Sequence, residues 1–75
     1  MQIHIGNLIR DELHRQNRTN AWLADQIGTS TRNLQRIYKK SSLDTQLLLS
    51  ISQALNTDFF SHYSKATTSM TDIVT

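Results

Sequence analysis

Apolar residues recur along this chain at steps of three and four, which is the period of an amphipathic α-helix. No strand-like alternation of useful length interrupts them before residue 64. The pattern therefore predicts an all-α fold, a compact bundle of about five short helices. The stripe of the first helix consists of Ile5, Leu8, Ile9 and Leu13, with Gln16 on the same side. Those of the second to fifth helices are, in order, Leu23, Ala24 and Ile27; Leu34, Ile37 and Tyr38; Leu47, Leu48, Ile51, Ala54 and Leu55; and Phe59, Phe60 and Tyr63.

Residues that favour helix ends separate these stripes. Thr19 and Ser30 are suited to cap the N-termini of the second and third helices. Gly28 follows the second helix at a place where a left-handed residue often ends a helix, so we expect it to have a positive φ. Asn56 can end the fourth helix because Asn tolerates the same conformation. Asp58 is then expected to start a short fifth helix.

Positive charge is concentrated on the third predicted helix. The chain carries a net charge of +2, yet residues 26–43 carry +4 and no acid, while residues 1–25 sum to zero and residues 44–75 to −2. The four cations are Arg32, Arg36, Lys39 and Lys40. Such a cluster is typical of a surface that contacts phosphates. The alternative explanation is that these cations simply belong to a solvated helix face.

The residues from Thr19 to Lys40 resemble the helix-turn-helix of lambda-repressor-like (Xre/Cro-type) DNA-binding domains, which occur in small bacterial transcriptional regulators. With the motif starting at Asn20, its small fifth residue is Ala24 and its ninth-place glycine is Gly28. The apolar residues that lock such a helix pair are Leu23, Ile27, Leu34 and Ile37. The sequence Ala54-Leu55-Asn56 also looks like the end of that family's fourth helix.

The resemblance implies that the third helix enters the DNA major groove and that the chain regulates transcription, as a repressor. Residues implied to read bases are Thr31, Arg32, Gln35 and Arg36. Residues implied to contact the DNA backbone are Asn20, Ser30, Asn33, Lys39 and Lys40. An arginine can donate two hydrogen bonds to guanine, and Gln35 can pair with adenine. For Gln35 and Asn33, simple polar surface is the competing interpretation.

One such helix covers too few base pairs to find a site in a genome. We therefore expect an inverted-repeat operator bound by a homodimer, which forms either in solution or only on DNA. The candidate dimer contact is the aromatic group Phe59, Phe60 and Tyr63. The alternative is that both phenylalanines cap the bundle core.

The helix-turn-helix domain is expected to span residues 1–63, and residues 64–75 are predicted to be a flexible C-terminal tail. The tail is interpreted as a frayed end, as the start of a longer protein or as an arm that pairs with another subunit. Cysteine is absent, and the N-terminus does not resemble a signal peptide. These features favour a reducing bacterial cytoplasm, where a DNA-binding chain would be associated with the nucleoid. The longest purely apolar run, Leu47-Leu48-Leu49, is far short of a membrane span, and no ligand-sensing domain is recognised, so neither a membrane partner nor a small-molecule ligand is expected.

An enzymatic function is not expected. The three histidines show no metal-ligand spacing, the adjacent Asp11 and Glu12 diverge around a helix, and no glycine-rich phosphate loop is present. Neither a cofactor nor a metal is therefore predicted. Trp22 is expected to pack in or beside the core, with stacking on the DNA backbone as the alternative. The rival function is a protein-interaction module, antitoxin-like or adaptor, that uses the same helices.

Overall fold

The chain folds as five α-helices, and no strand occurs among the residues that the structure describes, as the sequence predicts. The computed structural model describes residues 3–74, with side chains as far as Thr67. The helices are α1 (Ile5–Arg15), α2 (Asn20–Gln26), α3 (Thr31–Tyr38), α4 (Thr45–Leu55) and α5 (Ser61–Val74).

A single apolar core joins these helices. Every side chain in it is at most 4% exposed, and all of them belong to the predicted stripes. The core consists of Ile5, Ile9, Leu13, Leu23, Ala24, Leu34, Ile37, Tyr38, Leu48, Ile51, Leu55 and Phe59. Partly buried side chains such as Leu8, Ile27 and Phe60 pack around its rim. Burial of apolar surface is therefore what holds the short helices together.

Three helices end in the same way, at a residue with positive φ. These residues are Asn17 (58°), Gly28 (71°) and Asn56 (50°). In each case the N–H of the next residue donates to the carbonyl five positions earlier, over 2.8–3.0 Å, which is the bond that closes a Schellman motif. The predictions for Gly28 and Asn56 are confirmed, as are the N-caps: the hydroxyls of Thr19 and Ser30 each accept a backbone N–H over 3.1 Å.

Glu12 and Gln16 together tie α1 to the end of α4. Its carboxylate accepts hydrogen bonds from the guanidinium of Arg15 and, over 2.7 Å, from the amide of Gln16. The same Gln16 amide donates to the carbonyl of Leu55 over 2.8 Å. The hydroxyl of Thr57 donates to this carbonyl as well, over 2.9 Å. The hydrogen bond donated by Arg15 and, to a smaller extent, that donated by Gln16 lower the pKa of Glu12 from 4.5 to about 2.

The fifth helix differs from the prediction in its bounds. The fifth helix begins at Ser61 rather than at Asp58, and it continues to Val74. Residues 64–74, predicted as a flexible tail, are thus helical, and Thr75 lies outside the described residues. The boundary predicted after Tyr63 falls inside α5. The physical reason is that this segment contains neither Gly nor Pro, so that nothing in it breaks a helix.

Replacing Glu12 should weaken the fold at neutral pH but not in strong acid. A group whose folded-state pKa is depressed adds stability above its unfolded pKa and loses it as the pH falls toward the folded value. We expect Glu12→Gln to lower the free energy of unfolding by about 1–2 kcal/mol at pH 7, since Arg15 is solvent-exposed and its interaction is screened. The difference should shrink between pH 4.5 and about 2.

Urea denaturation at several pH values measures this difference. Asp25→Asn is the charge-matched control, because it removes an exposed carboxylate that has no side-chain partner among the described residues. A Glu12→Gln variant whose deficit is the same at pH 2 and pH 7 would show that the charge of Glu12 does not stabilise the fold.

Candidate nucleic-acid interface

Helix α3 buries one side and exposes the other. Leu34, Ile37 and Tyr38 lie in the core, each at most 4% exposed. The remaining residues of α3 and of its flanks are exposed: Ser30, Thr31, Arg32, Asn33, Gln35, Arg36, Lys39 and Lys40. All four residues predicted to read bases are therefore exposed on α3, and four of the five predicted to contact the DNA backbone are exposed on α3 or next to its ends.

The cations of this surface are not neutralised by any side chain that the structure describes. Among the described residues, the salt bridges are Arg10 with Asp11, 3.9 Å apart, and Arg15 with Glu12. None of the four cations of residues 32–40 takes part in an ion pair or a side-chain hydrogen bond there. The exposed side of α3 thus combines uncompensated positive charge with hydroxyl and amide groups, a combination suited to a polyanion.

The turn between α2 and α3 sets where this surface begins. Gly28 takes a positive φ, and a Cβ added there would meet no atom within 4 Å. The hydroxyl of Ser30 caps α3, and the side-chain amide of Asn33 donates to the hydroxyl of Thr29 over 2.8 Å. Asn33, predicted to contact DNA, therefore also braces the turn, a contact that its sequence position does not reveal.

The end of α3 is tied to the start of α2. The hydroxyl of Tyr38 donates to Oδ1 of Asn20 over 2.9 Å. Burial raises the pKa of the Tyr38 hydroxyl, which keeps it protonated as a donor. Asn20, the fifth residue predicted to contact the DNA backbone, is half-buried, and one atom of its side chain is already engaged. Its amide nitrogen remains as a donor, and its evident role is to fix α2 against α3.

Helix α1 supports the far end of α3 through backbone contacts. The N–H groups of Ile5 and Gly6 donate to the carbonyls of Ser41 and Lys40, over 3.1 and 3.0 Å. A Cβ on Gly6 would lie 2.2 Å from the carbonyl oxygen of Tyr38, so only glycine allows this approach. Sequence reasoning missed Gly6; the signal was a glycine inside an otherwise helical pattern, which often marks close packing.

Trp22 lies at the rim of the bundle. It is half-buried and packs against the core, in agreement with the packing interpretation. The guanidinium of Arg18 stacks over its ring, 4.2 Å from the centroid, a cation–π contact that the sequence did not indicate. One face of the indole is therefore covered by the chain itself.

The proposed dimer contact requires a correction. Phe59 is 1% exposed and belongs to the core, so its ring is not available to a partner. The turn before α5 directs the ring of Phe59 into the core. For this residue the structure therefore agrees with the alternative given above, in which the phenylalanines cap the bundle core. Phe60 is only partly buried, and Tyr63 is 36% exposed. Of the three aromatic residues, the last two remain at the surface.

Comparisons of the chain with protein-family models, with curated proteins and with solved structures give no match. The function must therefore be inferred from the residues themselves. None of the helices within residues 3–74 has the length and apolar content needed to cross a membrane. In the same described part of the chain, no three His, Asp or Glu side chains lie together in a way that could hold a metal ion.

Adding one methyl group at Gly6 should destabilise the protein. In a helix, Gly→Ala ordinarily stabilises by up to about 1 kcal/mol. Here the new carbon would collide with the backbone of α3, and such overpacking costs about 1–3 kcal/mol or more. We expect Gly6→Ala to lower the free energy of unfolding by at least about 1 kcal/mol in urea denaturation.

Two further variants control for this result. Asn7→Ala adds the same residue at the exposed neighbouring position and should change stability by no more than about 0.5 kcal/mol. Gly28→Ala should cost about 1–2 kcal/mol from its positive φ alone, because nothing obstructs its Cβ. A Gly6→Ala variant as stable as Asn7→Ala would contradict the close approach of α1 to α3.

Proposed function

We propose that this chain binds double-stranded DNA sequence-specifically by placing α3 in the major groove, and that it regulates transcription, as a repressor. The observation that carries the proposal is the exposed side of α3 and of the residues that follow it, where four cations without ion-pair partners among the described residues accompany hydrogen-bonding side chains and no acid. The resemblance of residues 19–40 to lambda-repressor-like domains supports the same conclusion. An α-helix about 10–12 Å wide fits a groove about 12 Å wide.

The side chains divide into two roles in this mechanism. Arg32 and Arg36 donate paired hydrogen bonds to guanine, and Gln35 pairs with adenine, each such contact discriminating by about 1–3 kcal/mol. Thr31 contacts a neighbouring base edge. The second role is contact with the phosphates, which fixes the position of the protein along the DNA. It falls to Asn20, Ser30, Asn33, Lys39 and Lys40. The partner is DNA with an inverted repeat, whose half-site centres are about 10 base pairs apart when two copies bind.

The alternative function is a protein-interaction module that presents the same helix to an acidic partner. Protein interfaces depend on buried aromatic or aliphatic anchors. The large apolar side chains that are exposed among the described residues are Leu49 and Tyr63, and neither belongs to α3. The α3 surface therefore favours DNA over a protein partner.

Affinity for random duplex DNA should fall steeply with salt. Cations that neutralise phosphates release condensed counterions, so log K falls with log salt at about −0.9 per phosphate. With about four phosphates neutralised per subunit, we expect a slope near −3.6 in a fluorescence-anisotropy titration. A slope near zero, or no binding at low salt, would contradict DNA binding and favour the protein-interaction module.

Two single substitutions should separate base reading from backbone contact. Arg32→Ala should lower affinity for the selected operator by about 1–3 kcal/mol and relax preference at one base pair, with a much smaller effect on random DNA. Lys40→Ala should weaken binding to both duplexes equally and make the salt slope shallower by about one unit. Both residues are exposed, so neither variant should unfold. Identical behaviour of the two variants would contradict this division of roles.

A further inference from the structure

One hydrogen bond joins α2 and α3 at the edge of the exposed surface. The hydroxyl of Tyr38, the last residue of α3, donates to Oδ1 of Asn20, the first residue of α2, over 2.9 Å. The side chain of Tyr38 is buried, whereas Asn20 is half-buried. The bond therefore lies at the boundary between the core and the solvent, where it can act on a bound ligand as well as on the fold.

The chemistry of the two groups fixes the orientation of the Asn20 amide. The proton of a buried hydroxyl needs an acceptor, and Oδ1 of Asn20 is the acceptor that Tyr38 reaches. Because an amide is planar and carries its oxygen and nitrogen on different sides, an oxygen turned toward the core leaves Nδ2 turned away from it. Nδ2 has no hydrogen-bond partner among the described residues. The bond thus holds a free donor in one direction.

The surroundings of this amide favour an anion. Residues 13–24 contain no acid. Arg10 of α1 follows Gly6 by one helical turn, and Gly6 lies against the backbone of Tyr38, so Arg10 is on the side of α1 that faces the end of α3. Burial raises the pKa of the Tyr38 hydroxyl, and the positive charge of Arg10 opposes part of that rise. The guanidinium therefore lies near enough to act on the group that Asn20 accepts from.

The guanidinium of Arg10 keeps its hydrogen-bond donors. Its ion-pair partner among the described residues is Asp11, whose carboxylate lies 3.9 Å from Nε, and that distance is longer than a hydrogen bond. The side chains of Arg10 and Asp11 are 45% and 70% exposed, so water screens their attraction. A guanidinium and an amide nitrogen are both groups that donate to phosphate oxygens.

We propose that Tyr38 is a positioning residue for a phosphate site, in which Nδ2 of Asn20 and the guanidinium of Arg10 bind one phosphate of the DNA backbone. The inference rests on the proposed function, and it adds α1 to the helices that contact DNA. Asn20 serves the fold and the ligand through opposite ends of one amide. Since Tyr38 ends the helix that reads bases, its hydroxyl also fixes how far this phosphate lies from the base-reading residues, which sets the register of α3 in the groove.

Tyr38→Phe tests the positioning role, because it removes the hydroxyl and keeps the ring in the core. Without its partner the Asn20 amide is free to rotate, and affinity for random duplex DNA should fall about three- to tenfold in fluorescence anisotropy. The salt slope should stay that of the parent chain, because no cation is lost. Ser52→Ala is the matched control: it removes a buried hydroxyl of α4 without a hydrogen-bond partner among the described residues, and it should bind like the parent.

The temperature of the titration separates positioning from a purely structural role. Well below the melting temperature of each variant the chain is fully folded, so a hydroxyl that only stabilises the fold would alter the melting temperature and leave DNA affinity unchanged. A Tyr38→Phe variant that melts earlier but binds DNA as tightly as the parent would overturn the positioning role.

Substitutions at Asn20 separate the two ends of its amide. Asn20→Asp keeps an oxygen that accepts from Tyr38 and replaces the donor by an anion, so the melting temperature should hold while DNA affinity falls by about tenfold or more. Asn20→Ala removes both ends, and adding Tyr38→Phe to it should cause no further loss of affinity, because the hydroxyl then has nothing to position. Additive losses, or an Asn20→Asp variant that binds like the parent, would overturn the site.

Arg10→Gln tests the charged half of the site. It should weaken binding at low salt and make the salt slope shallower by about one unit, as expected for the loss of one phosphate contact. Lys65→Gln is the matched control, since it removes the same charge from an exposed side chain of α5 and should leave the slope unchanged. An Arg10→Gln variant with the slope of the parent would show that Arg10 does not contact a phosphate.

The parent chain in the same titrations distinguishes failure of this site from failure of the proposed function. A parent chain that does not bind DNA at low salt would overturn the proposed function and the phosphate site with it. A parent chain with a steep salt slope, together with Tyr38→Phe and Arg10→Gln variants that bind as it does, would overturn the phosphate site alone and leave α3 as the contact surface.

Discussion

The close approach of α1 to the end of α3 is the contact on which the arrangement of the other helices depends. The first N–H groups of α1 donate to the carbonyls of Lys40 and Ser41, and Gly6 lies against the carbonyl of Tyr38. The positive end of one helix dipole thus meets the negative end of another, an arrangement that stabilises both termini. Since α3 is held there and packs on α2 as well, its buried side is fixed, and the opposite, basic side must face the solvent.

Much of this arrangement can be predicted from local sequence. The helical period identified the side chains of the core, and Gly28 and Asn56 marked helix ends because few residues accept a positive φ. The exposed side of α3 followed from the buried stripe, since the two are opposite faces of one helix. Features predictable in this way depend on residues within about one or two helical turns of each other.

Contacts between residues far apart in sequence escaped prediction. Gly6 packs against residues more than thirty positions away, and Gln16 bonds to a carbonyl 39 positions away. No local pattern encodes which partner such a residue meets. The bond between Tyr38 and Asn20 escaped for the same reason, and it engages part of a side chain that seemed free for DNA. The continuation of α5 was missed because a segment of small polar residues has a weak apolar stripe even where nothing interrupts the helix.

Helix α3 shows how a short helix, which is unstable in water by itself, becomes fixed within a folded chain. Helix α3 has eight residues, and its apolar side lies in the core. The cap of Ser30 fixes its start, and the hydrogen bond of Tyr38 to Asn20 fixes its end. A surface fixed in this way loses little conformational freedom when it binds, so more of its contact energy appears as affinity. By contrast, the side chains of α5 from Tyr63 to Thr67 are exposed. That part of α5 gains little stability from packing, so α3 rather than α5 supplies the rigid contact surface.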